Sequence, residues 1–200
     1  MNTAPYNSFS AFAGDRLLAA GPLAEVAIAV KIASGGQIAD PITIFDDSTG
    51  RSIDLDLRGS HRDIVARLPQ PPAAPAEAAA EPRGRGRPKL GVVAREVTLL
   101  PRHWEWLGAQ PGGASVALRK LVEAARRAHG DRDRLRAARD AAYHFMSTMA
   151  GNRPGFEEAS RALFADDRRR FVDLIAAWPA DIRDHIVKLA FSDRAEPTSA

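Results

Sequence analysis

The chain of 200 residues contains no cysteine, so a disulfide framework and a thiolate zinc site are both excluded. Aromatic residues are few, at 6% of the sequence. No apolar run approaches the ~20 residues that a membrane-spanning helix needs. The longest candidate, from Leu23 to Ala33, is interrupted by Glu25 and Lys31. The first seven residues, Met1-Asn-Thr-Ala-Pro-Tyr-Asn7, have neither the charged head nor the apolar core of a secretion signal. A cytoplasmic protein with no membrane segment is therefore expected. Catalytic signatures are also lacking. No Gly-rich loop follows a strand and opens a helix, and no Gly-x-Ser-x-Gly elbow is present. The five histidines show no paired spacing with carboxylates on one helix face; His144 and Asp140 read as a surface contact. Asp46-Asp47 sits in a turn, where aspartate caps its own backbone, and Asp54 and Asp56 alternate with apolar residues and should face water. Neither a metal nor a cofactor is expected, and the protein does not read as an enzyme.

What the chain does have is an uneven distribution of charge. Residues 1–80 carry a net −3, residues 81–140 a net +7 and residues 141–200 a net −1. A basic excess confined to the middle third is a local footprint for an anion.

The pattern along the chain predicts an α+β protein. Residues 8–68 read as a small ββαββα-like domain. Its first hairpin turns at Gly14-Asp15. A helix follows Pro22, with Leu23, Val26, Ala27, Val30 and Ala33 at helical spacing. A second hairpin joins Ile42 and Ile44 to Ile53, Leu55 and Leu57 around Asp46–Gly50, and a short helix from Arg62 to Leu68 closes the unit. Residues 69–94 form a Pro/Ala and Arg/Gly linker. Residues 95–192 read as one strand, 95–100, followed by helices, and 193–200 as a disordered tail. Trp104 and Leu107 mark a first short helix and share its apolar face, so Trp104 is expected in the core and Trp106 at an interface. Ser115 is placed to cap a second helix, Gly130 to end it and Asp131 to cap a third. Three shorter helices around Leu163, Phe171 and Ile186 complete the region, and Arg168-Arg169-Arg170 reads as a solvated helix start.

The linker ends in Arg83-Gly84-Arg85-Gly86-Arg87-Pro88-Lys89, four cations in seven residues with no bulky side chain. Its core, Arg85-Gly86-Arg87-Pro88, is similar to that of the AT-hook, over about seven residues and in one copy. The physics suits the comparison, because the narrow, negative minor groove of A·T-rich DNA attracts inserted arginine. Glycine, with no Cβ, lets the backbone lie close to the groove floor. The resemblance implies that Arg85 and Arg87 enter the groove and Lys89 meets phosphate, with Arg83 adding charge. The alternative is a solvated basic linker.

Residues 95–127 resemble a ribbon-helix-helix DNA-binding unit in their short strand, the closing Pro101 and the Pro111-Gly112-Gly113 turn between helices. That resemblance implies a homodimer in which two copies of the strand pair as an antiparallel ribbon. Arg95, Arg102, Arg119 and Lys120 would contact phosphate, as would the helix N-terminus near Ser115. The register stays open. One face would present Arg95, Val97 and Leu99, the other Glu96, Thr98 and Leu100. Pairing of this strand with the N-terminal sheet is the alternative to a dimer.

The whole chain resembles an uncharacterised bacterial family known only as a domain of unknown function. The motifs that carry this are Ile44-Phe45-Asp46-Asp47-Ser48-Thr49-Gly50-Arg51, Gly86–Val93, Arg95–Leu107 and Gly155-Phe156-Glu157-Glu158. It implies a bacterial protein and no particular activity. The expected function is DNA binding, regulatory or nucleoid-associated. The alternative is a protein-interaction adaptor with no nucleic-acid role.

Overall fold

The computed structural model describes residues 8–36, 40–69 and 95–191. The N-terminal third of the chain forms the expected α+β pattern. Strands β1 (Phe9–Ala13) and β2 (Arg16–Gly21) make the first hairpin and α1 spans Leu23–Ser34. Strands β3 (Ile42–Asp46) and β4 (Arg51–Ile53) make the second hairpin, and α2 spans His61–Arg67. The sheet is antiparallel throughout, in the order β2-β1-β3-β4. Ser60 and Asp63 form a capping box at the start of α2, each side chain accepting the other's backbone N–H. The second hairpin is shorter than its alternation predicts, but Leu55 and Leu57 still pack beside Ile53.

Strand alternation sends side chains to two faces, and both are covered. Phe9, Ala11, Ile42 and Ile44 meet Val26 and Val30 of α1. Ser10, Phe12 and Phe45 point the other way, and Phe12 and Phe45 join a larger core built from the C-terminal helices. Those helices are the end of α4 (Gly113–Ala150), α5 (Phe156–Phe164), α6 (Arg168–Leu174) and α7 (Ala180–Phe191). The rings of Phe12, Phe45 and Phe145 stand 4.7–6.1 Å apart and tilted or edge-on, an arrangement aromatic pairs prefer. Trp178 closes the far side, its indole N–H donating to the Pro154 carbonyl at 3.0 Å.

The chain accordingly divides into two compact units in a way that composition does not foretell. One unit combines the described residues up to Leu68 with those from Asp131 onward; the other comprises residues between Pro69 and Gly130. The expected division set 8–68 apart from 95–192. The difference arises because the second face of the sheet carries Phe12 and Phe45, and helices distant in sequence bury them.

Three local expectations are corrected. Residues 95–100 form no strand: their backbone joins none of β1–β4. A strand exists only through a partner's ladder. Here Val97 and Leu100, on opposite faces, are both half-exposed, so neither face has an apolar layer to hold it in a sheet. Gly130 does not break a helix, because α4 runs unbroken from Gly113 to Ala150. Glycine costs a helix only about 1 kcal/mol relative to alanine. Ion pairs along the helix, Arg127 to Glu123 and Arg136 to Asp133, bracket the position. Trp104 is not in the core: it is 42% exposed, and Leu107 alone is buried on α3 (Pro101–Gly108). The expected solvated start at Arg168 does form, with Asp167 accepting the Arg170 N–H at 3.0 Å.

Candidate nucleic-acid interface

The cations singled out above fall into two groups. Arg83, Arg85, Arg87 and Lys89 lie outside the described residues. Arg95, Arg102, Arg119 and Lys120 are described, and all four are exposed. Pro101 occupies the first turn of α3, where its missing N–H costs nothing, and this places Arg102 at the solvent-facing start of the helix. Arg119 and Lys120 lie in the second turn of α4. None of the four has a carboxylate within ion-pairing distance among the described residues. Arg126 and Arg127, further along α4, share Glu123 at 3.5 and 3.2 Å. Positive charge is thus partly offset at Arg126 and Arg127 and left without a carboxylate partner at Arg95, Arg102, Arg119 and Lys120. Ser115 is exposed, but it does not cap α4, which begins two residues earlier at Gly113. Gly112 and Gly113, at φ +87° and +75°, take the left-handed backbone that starts the helix sooner.

In the sequence, residues 69–130 hold ten Lys/Arg and five Asp/Glu, a net +5, and the remainder of the chain a net −2. The described residues of the second unit, 95–130, hold six and three, a net +3. The charge asymmetry of the sequence therefore follows a structural division.

A second polar assembly was not legible in the sequence. Asp46 behaves as expected of a turn aspartate, accepting the Ser48 N–H at 2.8 Å and its hydroxyl at 2.6 Å. Asp47 does not. Its side chain is buried, with the His185 Nε2 of α7 3.4 Å from Oδ1, the Lys188 Nζ 3.7 Å from Oδ2, and the Ser10 hydroxyl donating to Oδ2 at 3.1 Å. The His185 ring packs against Phe12 and Phe145. Burial pushes the Asp47 carboxyl up. The His185 imidazole and the Ser10 and Ser8 hydroxyls outweigh it, holding the group below its ordinary value. Ser10 donates to the carboxylate and not to the imidazole, so the three do not form a nucleophile–base relay. The assembly ties the β3–β4 turn to α7. The only sequence signal was Asp47 itself, an acid directly after the buried Phe45 and turn-capping Asp46; the partner 138 positions away carries none.

Other candidates are spoken for. His144 meets Arg51, whose guanidinium reaches Nε2 at 3.1 Å, and not Asp140. Asp54 and Asp56 face solvent as expected. Asp56 is bound by Arg58 and Arg67, and the Arg58 hydrogen bonds lower its carboxyl far below the usual range. A depression of about 400 Å³ between Lys31 and the Leu55–Arg58 segment therefore offers no free acid. No cluster of three or more His, Asp or Glu able to hold a metal occurs among the described residues. No described helix is long and apolar enough to cross a membrane.

An α+β fold with a four-stranded antiparallel sheet and a mostly helical C-terminal region defines the class. The family model described as "Uncharacterized protein conserved in bacteria (DUF2239)" matches residues 8–190, and the chain belongs to that family. No curated protein and no solved structure matches the chain.

Proposed function

We propose that this protein binds DNA, in a regulatory or nucleoid-associated role in the bacterial cytoplasm. The observation that carries the reading is the excess of positive charge that the sequence concentrates between residues 69 and 130, with Arg95, Arg102, Arg119 and Lys120 exposed and free of carboxylates among the described residues. Such cations replace the counterions condensed on phosphate, and their release drives binding. The AT-hook-like arm, Arg83 to Lys89, supplies the minor-groove component, with Arg85 and Arg87 inserted and A·T-rich duplex preferred. Ser115 and the first turn of α4 supply backbone N–H groups to a phosphate. The unpaired backbone of 95–100 is where a second copy adds a strand, giving a homodimer as in a ribbon-helix-helix protein.

A protein-interaction adaptor is the second reading. It is favoured by one observation: Val97, Leu100, Trp104, Trp106, Leu121 and Val122 are all exposed. The test is fluorescence anisotropy with A·T-rich and G·C-rich duplexes over a salt series, comparing the intact chain with Arg85→Ala/Arg87→Ala. DNA binding predicts affinity that falls with salt, and a log–log salt slope reduced by about 2 in the double variant. No binding at low salt by the intact chain leaves the adaptor.

A further inference from the structure

We propose that Trp106 is a base-stacking platform, and that the ligand it takes is single-stranded nucleic acid. The inference rests on the nucleic-acid reading above and names the form of nucleic acid that this helix engages. Six of the large apolar side chains exposed among the described residues fall between Val97 and Val122, and the two aromatic ones, Trp104 and Trp106, are on α3. The indole of Trp106 is the more open, at 53% exposed. An indole presents a large flat apolar area, and leaving it in water is costly unless something covers it.

What covers it is indicated by its neighbours. Residues three and four apart on a helix lie about 5–6 Å from each other at Cβ. Arg102 and His103 therefore stand one turn before Trp106 on the same face, and both are exposed. On the next turn Gln110 holds its amide against the Trp106 carbonyl at 3.1 Å. The face thus presents a flat apolar ring beside an uncompensated guanidinium and an imidazole, among described residues 95–130 of net +3. A purely apolar partner would leave Arg102 desolvated and unpaired. An anion without an apolar surface would leave the indole uncovered. A nucleotide has both parts, a flat base and a phosphate on one flexible strand. In a duplex both faces of each base are already covered by stacking, so an indole on a helix surface reaches a base face without an unstacking cost only on an unpaired strand. Trp104 lies two residues away on another side of α3, facing Leu100 and Leu107, and is not part of this platform.

The test uses the full chain with labelled oligo(dT) and oligo(U) of about 20 nucleotides and an A·T-rich duplex. Intact protein is compared with Trp106→Ala, Trp106→Phe and Arg85→Ala/Arg87→Ala, each checked for native circular dichroism. Stacking predicts that Trp106→Ala weakens strand binding roughly tenfold or more, that Trp106→Phe retains most of it, and that duplex affinity is unchanged by either. A preference between oligo(dT) and oligo(U) then assigns the strand as DNA or RNA. Equal binding of the strands by Trp106→Ala and intact protein overturns the platform while leaving a duplex-binding arm intact, as does an equal loss on strand and duplex. Absence of binding to any probe by the intact chain overturns both this inference and the DNA reading.

Discussion

Asp47 and His185 show how one residue's surroundings change its meaning. A carboxylate in an exposed turn is replaceable. This one is buried beside an imidazole and a hydroxyl, and its removal leaves His185 in an aromatic pocket without its partner. The cost of Asp47→Asn at neutral pH is about 1–3 kcal/mol, the penalty for an unsatisfied buried polar group. The pH dependence has a definite sign. The folded carboxyl titrates below its ordinary value of 3.8. Its stabilisation is therefore fully present above 3.8 and is lost as pH falls through the lower folded value. Urea unfolding of Asp47→Asn through the acid range should show a shallower loss of stability below 3.8 than the parent. Parallel curves for the two proteins would remove the pair from the acid response.

At the scale of elements, two glycines predict opposite outcomes. Gly50 closes the β3–β4 turn at φ +65°, and a Cβ built there stands 1.8 Å from the Ala141 carbonyl oxygen of α4. The left-handed backbone alone costs a side chain about 1–3 kcal/mol, and the backbone collision adds to it. Gly130 lies inside α4 with nothing within 4 Å of a built Cβ. Thermal unfolding should therefore find Gly50→Ala destabilised by at least about 3 kcal/mol. Gly130→Ala should be stabilised by about 1 kcal/mol. A destabilised Gly130→Ala would argue that α4 is interrupted there after all. The same contrast explains which elements were legible. The hairpins and α1 follow from alternation and helical spacing, both short-range patterns. The break expected at Gly130 does not occur, because a propensity worth about 1 kcal/mol is smaller than the sum of a long helix's other contributions. Residues 95–100 have strand-like composition and no partner within the chain, so composition alone overstates them.

For the whole molecule, the sheet carries helices on both faces, and the second face is covered by residues about a hundred or more positions away. Phe12 and Phe45 are fully buried in one cluster with Phe145, Met146, Ile182 and Ile186, and their rings pack against that of Phe145. Phe145→Ala should cost about 3–5 kcal/mol, as large-to-small changes in cores do. It should lower the stability of the sheet and of α5–α7 together, in one transition followed equally by far-ultraviolet and near-ultraviolet circular dichroism. Two separated transitions would show that the sheet and the C-terminal helices unfold independently. The charge distribution belongs to this scale too. The unit between Pro69 and Gly130 holds the positive excess, leaving the unit built on the sheet mildly acidic.

By itself, the sequence determined the α+β class, the order of the N-terminal elements, the three short C-terminal helices and the place of the basic excess. These depend on the spacing of residues near one another in the chain, which is readable without coordinates. Tertiary structure decided the rest. It put α5–α7 on the sheet's second face, paired Asp47 with His185, pressed Gly50 against α4, left 95–100 without a sheet partner and exposed both tryptophans of α3. Each of these depends on which surfaces meet across long stretches of chain. Burial, unlike periodicity, is a property of the neighbour and not of the residue.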